Sequence, residues 1–224
     1  MTTATVSAPA LRSRPMTAVT PLVFIVDDDI SVRESIELLV AHAGWQPEVF
    51  ASAQEFLIRP PAAGPSCLVL DISLPDLNGL ELQKRIAGAR AEMPIIFITG
   101  RGDVPMSVQA MKAGALEFLV KPFSPEALLQ AIEGALARSR EVLDHKSTLQ
   151  TLRGRHQSLS QREREVMALV VRGHLNKQVG GALGISEITV KAHRGRVMRK
   201  MCAKSLAELV NIASRLGLDT ATGG

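Results

Sequence analysis

The sequence predicts two domains in tandem: an α/β domain on a doubly wound, five-stranded parallel sheet, then a helical linker into an all-α, four-helix domain containing a helix-turn-helix. Three observations point there. Between residues 22 and 140 short apolar runs alternate five times with amphipathic stretches, the signature of successive βα units. After residue 157 the pattern becomes wholly helical. The charge also changes sign: residues 1–144 carry a net −5 and residues 145–224 a net +9, within an overall +4. A chain of 224 residues suits two domains, and 46% hydrophobic against 21% charged residues excludes a wholly disordered chain.

Met1 to Pro21 mixes Thr, Ala, Ser and Pro with two arginines and has no continuous apolar core of the kind an export signal needs. Residues 1–20 are expected to be a disordered tail, with Met16 as an alternative start. Strands are expected over Leu22 to Val26, Gln46 to Phe50, Cys67 to Leu70, Ile95 to Ile98 and Glu117 to Val120. Helices are expected over Val32 to Ala43, Ala53 to Leu57, Leu80 to Ala89 and Pro105 to Ala113, with a fifth from Pro125 onward. Gly44 and Gly114 stand where left-handed helix caps are wanted. These units form a domain over residues 21–140. Residues 141–157 continue as a helical linker, with a break expected near Gly154.

Ser160-Gln161-Arg162-Glu163 has the form of a capping box, opening a helix that stops at Gly173. A second helix, about Asn176 to Leu183, ends at Gly184. Ser186 caps a third, Glu187 to Met201, and Ser205 begins a fourth that ends near Gly217. Two short helices joined by a tight glycine turn, the second one basic, make the helix-turn-helix within residues 158–218. Residues 219–224 read as a second tail. The longest apolar runs fall far short of the ~20 residues a membrane span requires, so no membrane association is expected. Cys67 and Cys202 lie far apart in no metal or redox spacing, which fits packing roles in a reducing cytoplasm.

In such sheets ligands bind beyond the carboxyl ends of the strands, where the strand order reverses. Asp27, Asp28 and Asp29 follow the first strand, and Asp71 ends the third. Thr99 ends the fourth and Lys121 follows the fifth. A lone strand-end Asp is usually a cap or a solvated charge. Carboxylates converging on one edge, however, are costly unless a cation neutralises them, and hard oxygen ligands in an open site suit Mg²⁺. With a hydroxyl and an ammonium at the same edge, the set suits phosphoryl transfer onto a carboxylate.

Val26-Asp27-Asp28-Asp29, Leu70-Asp71, Pro75-Asp76-Leu77-Asn78-Gly79, Ile98-Thr99-Gly100 and Lys121-Pro122-Phe123 resemble the receiver domain of two-component response regulators, a flavodoxin-like fold. The run Thr99 to Met106 with Ala110 to Ala115 resembles the FixJ branch. The resemblance implies that Asp71 is the phosphoacceptor, with Thr99 and Lys121 assisting. It implies Mg²⁺ held by Asp28 and Asp71, by Asp27 through water, and by the backbone carbonyl of Ser73. Asp29 is expected to be peripheral, Thr99 and Phe118 to form a conformational switch, and the Lys121-Pro122 peptide to be cis.

The second half resembles the LuxR-type DNA-binding domain. The matching residues are Leu159 to Val166, Gly173, Asn176-Lys177, Leu183 to Ser186, Thr189-Val190-Lys191, His193-Arg194, Lys200-Met201 and Ala207 to Val210. Its third helix carries Lys191, Arg194, Arg196, Arg199 and Lys200, which laid in a major groove can reach bases and phosphates. DNA-contacting residues are expected among Lys177, Ser186, Thr189, Lys191, Ala192, His193, Arg194, Arg196 and Arg199. The family's base-reading positions fall on Lys191, Ala192 and Gly195, and Gly195 departs from the pattern because it cannot reach a base. Gly180-Gly181 is a second departure, expected to reflect close helix approach.

Together these readings predict a transcription factor rather than an enzyme. A sensor histidine kinase phosphorylates it, phosphorylation promotes a homodimer, and the protein acts on double-stranded DNA and RNA polymerase. Two other readings share these residues: a carboxylate-based phosphatase, and a DNA-binding protein whose first domain is merely structural.

Overall fold

The structure, a computed structural model, describes residues 20–100 and 104–218, with the backbone alone for residues 104–106. The tails expected over 1–20, apart from Thr20, and over 219–224 lie outside the described residues. Residues 101–103 of the FixJ-like run do as well.

The first half alternates β1 (Leu22–Val26), α1 (Ile30–His42), β2 (Gln46–Phe50), α2 (Ala53–Ile58), β3 (Ser66–Asp71), α3 (Gly79–Ile86), β4 (Ile95–Thr99), α4 (Val104–Lys112), β5 (Glu117–Val120) and α5 (Pro125–Gln157). The strands pair in parallel in the order β2-β1-β3-β4-β5. Helices on both faces explain why β3 and β4 are buried at every position, with no polar alternation. One face packs Phe24, Leu68, Leu70 and Phe97 with Phe56, Leu82 and Ile86. The other packs Val23, Ile25, Val69, Ile96 and Ile98 with Ile36 and Val40 of α1 and Leu128, Ile132 and Leu136 of α5.

Helix ends follow from caps. Asp29 accepts from the N–H groups of Ser31 and Val32, at 2.8 and 3.4 Å, and so starts α1 two residues earlier than expected. Gly44 (φ 84°) and Gly114 (φ 92°) are the left-handed residues the sequence called for.

The chain divides into two compact units, residues 1–141 and 142–224, with the boundary inside α5. In the first unit the buried Ser139 hydroxyl accepts from the Ser66 N–H (3.1 Å) and donates to the Glu92 carbonyl (2.7 Å), tying α5 to the start of β3. The break expected near Gly154 is absent, and α5 runs through it to Gln157. A single exposed glycine costs a helix only about 1 kcal/mol. Burial of Leu152 in the second core, followed by Leu159 just after the helix, outweighs that.

The second unit contains α6 (Gln161–Val171), α7 (Asn176–Leu183), α8 (Glu187–Met201) and α9 (Leu206–Arg215) around Val166, Met167, Val170, Val179, Val190, Val197, Met201 and Leu209. The capping box is present: Ser160 Oγ accepts from the Glu163 N–H, and Glu163 Oε2 accepts from the Ser160 N–H. Gly184 (φ 67°) makes the turn between α7 and α8. The glycine pair differs from expectation. A Cβ on Gly180 would stand 2.7 Å from the Ile185 carbonyl oxygen, so what approaches is the backbone of the turn and not another helix. Gly181 faces open space, and nothing in the structure explains it.

Candidate functional site: an acidic strand-end cluster and a basic helix

The order of the sheet reverses between β1 and β3, and the acidic residues gather at the carboxyl ends of those strands. Oxygens of Asp27, Asp28 and Asp71 lie within 4.8 Å of one another; Asp27 and Asp71 are buried and Asp28 is exposed. Lys121, just past β5, is fixed in turn by its own N–H donating to the Thr99 carbonyl. Its Nζ donates to Asp27 Oδ2 at 2.6 Å and to Asp71 Oδ2 at 2.7 Å. The remaining Asp27 oxygen accepts from the Asp29 N–H, and Asp71 Oδ1 accepts from the Ser73 N–H at 2.9 Å.

Burial pushes the Asp27 carboxyl above its ordinary pKa, against the pull of Lys121 and the Asp29 N–H. Burial also works against the charge of Lys121. Its hydrogen bonds to Asp27 and Asp71 outweigh that and hold its pKa above the usual lysine value. The site is therefore two buried carboxylates clamped by one lysine, with Asp28 beside them open to solvent.

The predicted residues converge. Thr99 is buried at the end of β4, and Phe118, half-buried on β5, packs against the core beside α3 and α4. Its backbone pairs with Phe97. The Lys121-Pro122 peptide is cis, as expected. Sequence reasoning missed Arg33, and it quoted Asp76 and Gly79 in the motif without giving either a role. Arg33 Nη1 donates to the Asp27 carbonyl at 2.6 Å. Asp76 accepts from the Ala53 and Gln54 N–H groups at the start of α2. Gly79 lies so close under Asp71 that a Cβ there would be 2.7 Å from the Asp71 carbonyl. Only the glycine left a usable signal, because the Pro75-to-Gly79 loop must return beneath β3.

In the second unit the predicted contact residues separate into two groups. Lys177, Lys191, Ala192, Arg196 and Arg199 are exposed. Ser186, Thr189 and Arg194 have hydrogen-bond partners inside the protein, and His193 is half-buried. Ser186 Oγ caps α8 through the Thr189 N–H and pairs with the Thr189 hydroxyl. Arg194 donates to Asn176 Oδ1 at 3.2 Å, tying α8 to α7. His193 is half-buried, and its Nδ1 has no hydrogen-bond partner. Lys200, counted among the helix charges, points back into the protein: its Nζ donates to Glu163 Oε2 at 2.6 Å and to the Ser158 carbonyl at 3.0 Å.

A parallel α/β sheet with an acidic, lysine-clamped strand edge, followed by a helix-turn-helix unit, is the architecture of the response-regulator class. Residues 23–133 match the response regulator receiver domain, and residues 157–213 match the bacterial regulatory proteins of the LuxR family. The chain is 47% identical over 197 residues to nodulation protein W of Bradyrhizobium diazoefficiens, covering 88% of this chain and 87% of that one. It is 42% identical over 195 residues to the transcriptional regulatory protein FixJ of Rhizobium meliloti, covering 85% and 94%. Among solved structures it is similar to the response regulator StyR, with TM-score 0.80 and 45% identity over 88% of this chain and all of that one. Full-length FixJ from B. japonicum gives TM-score 0.53 and 39% identity over 88% and 97%. The chain belongs to the response regulators that join a receiver domain to a LuxR-type DNA-binding domain, the group that includes FixJ, and is a transcription factor. A receiver implies a histidine kinase partner, and the second domain implies DNA binding. Among the described residues no helix is long and apolar enough to cross a membrane.

Proposed function

We propose that a sensor histidine kinase phosphorylates Asp71 of this regulator in the cytoplasm, and that phosphorylation drives dimerisation and sequence-specific DNA binding. One observation carries the reading: Asp71 sits buried at a strand end with its Oδ2 held by Lys121, next to Asp27 and Asp28. The domain limits are taken as 21–140 for the receiver, 141–157 for the linker and 158–218 for the DNA-binding domain.

Three carboxylates around one point fit a divalent cation better than a lone ammonium. Asp28 and Asp71, the Ser73 carbonyl, and Asp27 through water would hold Mg²⁺, which when bound neutralises the phosphoryl oxygens. The residues of the chain do the rest. The Asp71 carboxylate attacks the phosphohistidine phosphorus; the O–P bond forms as the P–N bond breaks. Lys121 then transfers its hydrogen bonds to the incoming oxygens, stabilising charge that develops on them. Thr99 follows from the end of β4, and Phe118 on β5 turns inward. That motion reaches the face of α4, β5 and α5, where Val108, Met111, Leu116 and Val120 stand 37–48% exposed. An apolar patch on that face suits a twofold contact between receivers. Paired half-sites on DNA follow from such a dimer, with Lys177, Lys191, Arg196 and Arg199 on the DNA and RNA polymerase as the downstream partner.

Incubating the protein with a small-molecule phosphodonor and Mg²⁺ tests this. Wild type is expected to gain one phosphoryl group by intact mass and to dimerise by light scattering, and Asp71→Asn to do neither. Phosphorylated, dimeric Asp71→Asn overturns the assignment.

A further inference from the structure

We propose that Ile188 reads the DNA sequence by contacting a thymine C5-methyl group. The proposal rests on the reading of α8 as the DNA-contacting helix and deepens it with a residue outside the expected contact set. Ile188 is 80% exposed at the second position of α8. At 3.6 residues per turn, Ile188, Gly195 and Arg199 fall within about 20° of one line along the helix, with Lys191 and Ala192 within about 60° on either side. The buried stripe of Val190, Val197 and Met201 lies opposite. Ile188 is thus at the centre of the solvent face, at the amino end, where a recognition helix brings side chains to base edges.

Among the described residues nothing buries the isoleucine there. A β-branched side chain lowers helix propensity relative to Lys, Glu or Ala, and at this exposure it gains almost no burial in return. The neighbours say what would cover it. Lys191, Arg196 and Arg199 are exposed on the same side, and Lys191 Nζ is held 3.3 Å from Glu187 on the adjoining row. That charge selects a polyanion. Ala192 and Gly195 are short, and a Cβ on Gly195 would meet nothing within 4 Å. The middle of the face is therefore recessed, which lets the helix sit deep enough for Ile188 to reach the groove floor. On the major-groove edges of the bases, the apolar group is the thymine methyl.

The test uses full-length protein and duplexes selected by it from a randomised pool. Each thymine of the selected site is replaced in turn by deoxyuridine, which removes only the methyl. Wild type is expected to lose about four-fold in affinity at one thymine per half-site, the worth of one buried methyl-sized group. Ile188→Ala should bind the parent duplex about four-fold more weakly, be indifferent to uridine at that thymine, and keep its response elsewhere. Ile188→Val should retain most of the preference. Wild-type affinity and wild-type uridine sensitivity in Ile188→Ala overturn the proposal and leave Ile188 as a surface for a protein partner. Lys191→Ala separates the two layers. If it weakens binding while Ile188→Ala does not, only the thymine contact fails. If neither does, the DNA-facing assignment of α8 fails with it.

Discussion

Removing the charge of Lys121 while keeping its stem, in Lys121→Met, leaves Asp27 and Asp71 facing each other without their ammonium. Both contacts are short, 2.6 and 2.7 Å, and the carboxylates are 0% and 8% exposed, so screening by water is weak. At an effective dielectric of about 20, each contact is worth several kcal/mol before desolvation is counted. Removing one partner of a buried ion pair costs about 3–5 kcal/mol. Lys121 keeps 21% of its side chain in solvent, which places the loss at the lower end, about 3 kcal/mol. With a urea m-value of about 2 kcal/mol/M, the unfolding midpoint of the receiver falls by about 1.5 M in EDTA. The fluorescence of Trp45 reports this unit alone, since it is the single tryptophan and packs on the core shared by α1 and α5. Saturating Mg²⁺ should close much of the gap, because a second cation takes over the neutralisation. Phosphorylation of Asp71 should nonetheless slow by about 100-fold, the loss expected for one charge-stabilising donor. A midpoint in EDTA within about 0.3 M of wild type would refute the argument that the ammonium holds the carboxylates together.

Further outcomes follow from the same contacts. Gly79→Ala places a Cβ against the Asp71 carbonyl, so it should lower receiver stability by about 1–3 kcal/mol in urea melts and slow phosphorylation as well. The two glycines of α7 should respond oppositely. Gly180→Ala meets the Ile185 carbonyl and destabilises, whereas Gly181→Ala meets nothing and stabilises by about 0.5–1 kcal/mol, as read by amide exchange in α7. Glu163 has its pKa held below the ordinary 4.5, first by the Lys200 hydrogen bond and then by the Ser160 N–H. A carboxylate depressed in the folded state contributes fully above its unfolded value and loses that contribution as the pH falls through its folded value. Glu163→Gln should therefore cost about 1–2 kcal/mol at neutral pH, by exchange of the α6 amides, and the difference should begin to shrink below the ordinary value of 4.5 and vanish once the pH has fallen past the lower folded value.

Most of the receiver was legible because its chemistry and its fold use the same positions. A strand buried on both faces announces itself as an unbroken apolar run, and the first polar residue after it is by geometry at the sheet edge. Asp27, Asp71, Thr99 and Lys121 all carry that mark. What stayed hidden depends on contacts distant in sequence. The buried Arg90 guanidinium stacks 4.3 Å over the Phe56 ring and donates to the Phe56 and Arg59 carbonyls, and nothing local to Arg90 signals it. The absence of a break at Gly154 was equally non-local, since Leu152 and Leu159 anchor the chain on either side of it.

The basic helix was less legible for a different reason: its polar residues have two competing uses. Each helix of a small bundle must cap its own amino end and tie itself to its neighbours, and the residues that do so are the same Ser, Thr, Arg and Lys that could bind a phosphate. Ser186 and Thr189 close the amino end of α8, Arg194 holds α7, and Lys200 holds the buried Glu163. Counting cations therefore overstates the surface offered to DNA: of the basic residues named on α8, Lys191, Arg196 and Arg199 stay exposed, and Lys191 shares its charge with Glu187. An apolar residue suffers no such ambiguity. Ile188 cannot cap, cannot pair and is not buried, so its exposure at the centre of that face is the more specific sign of what the helix meets.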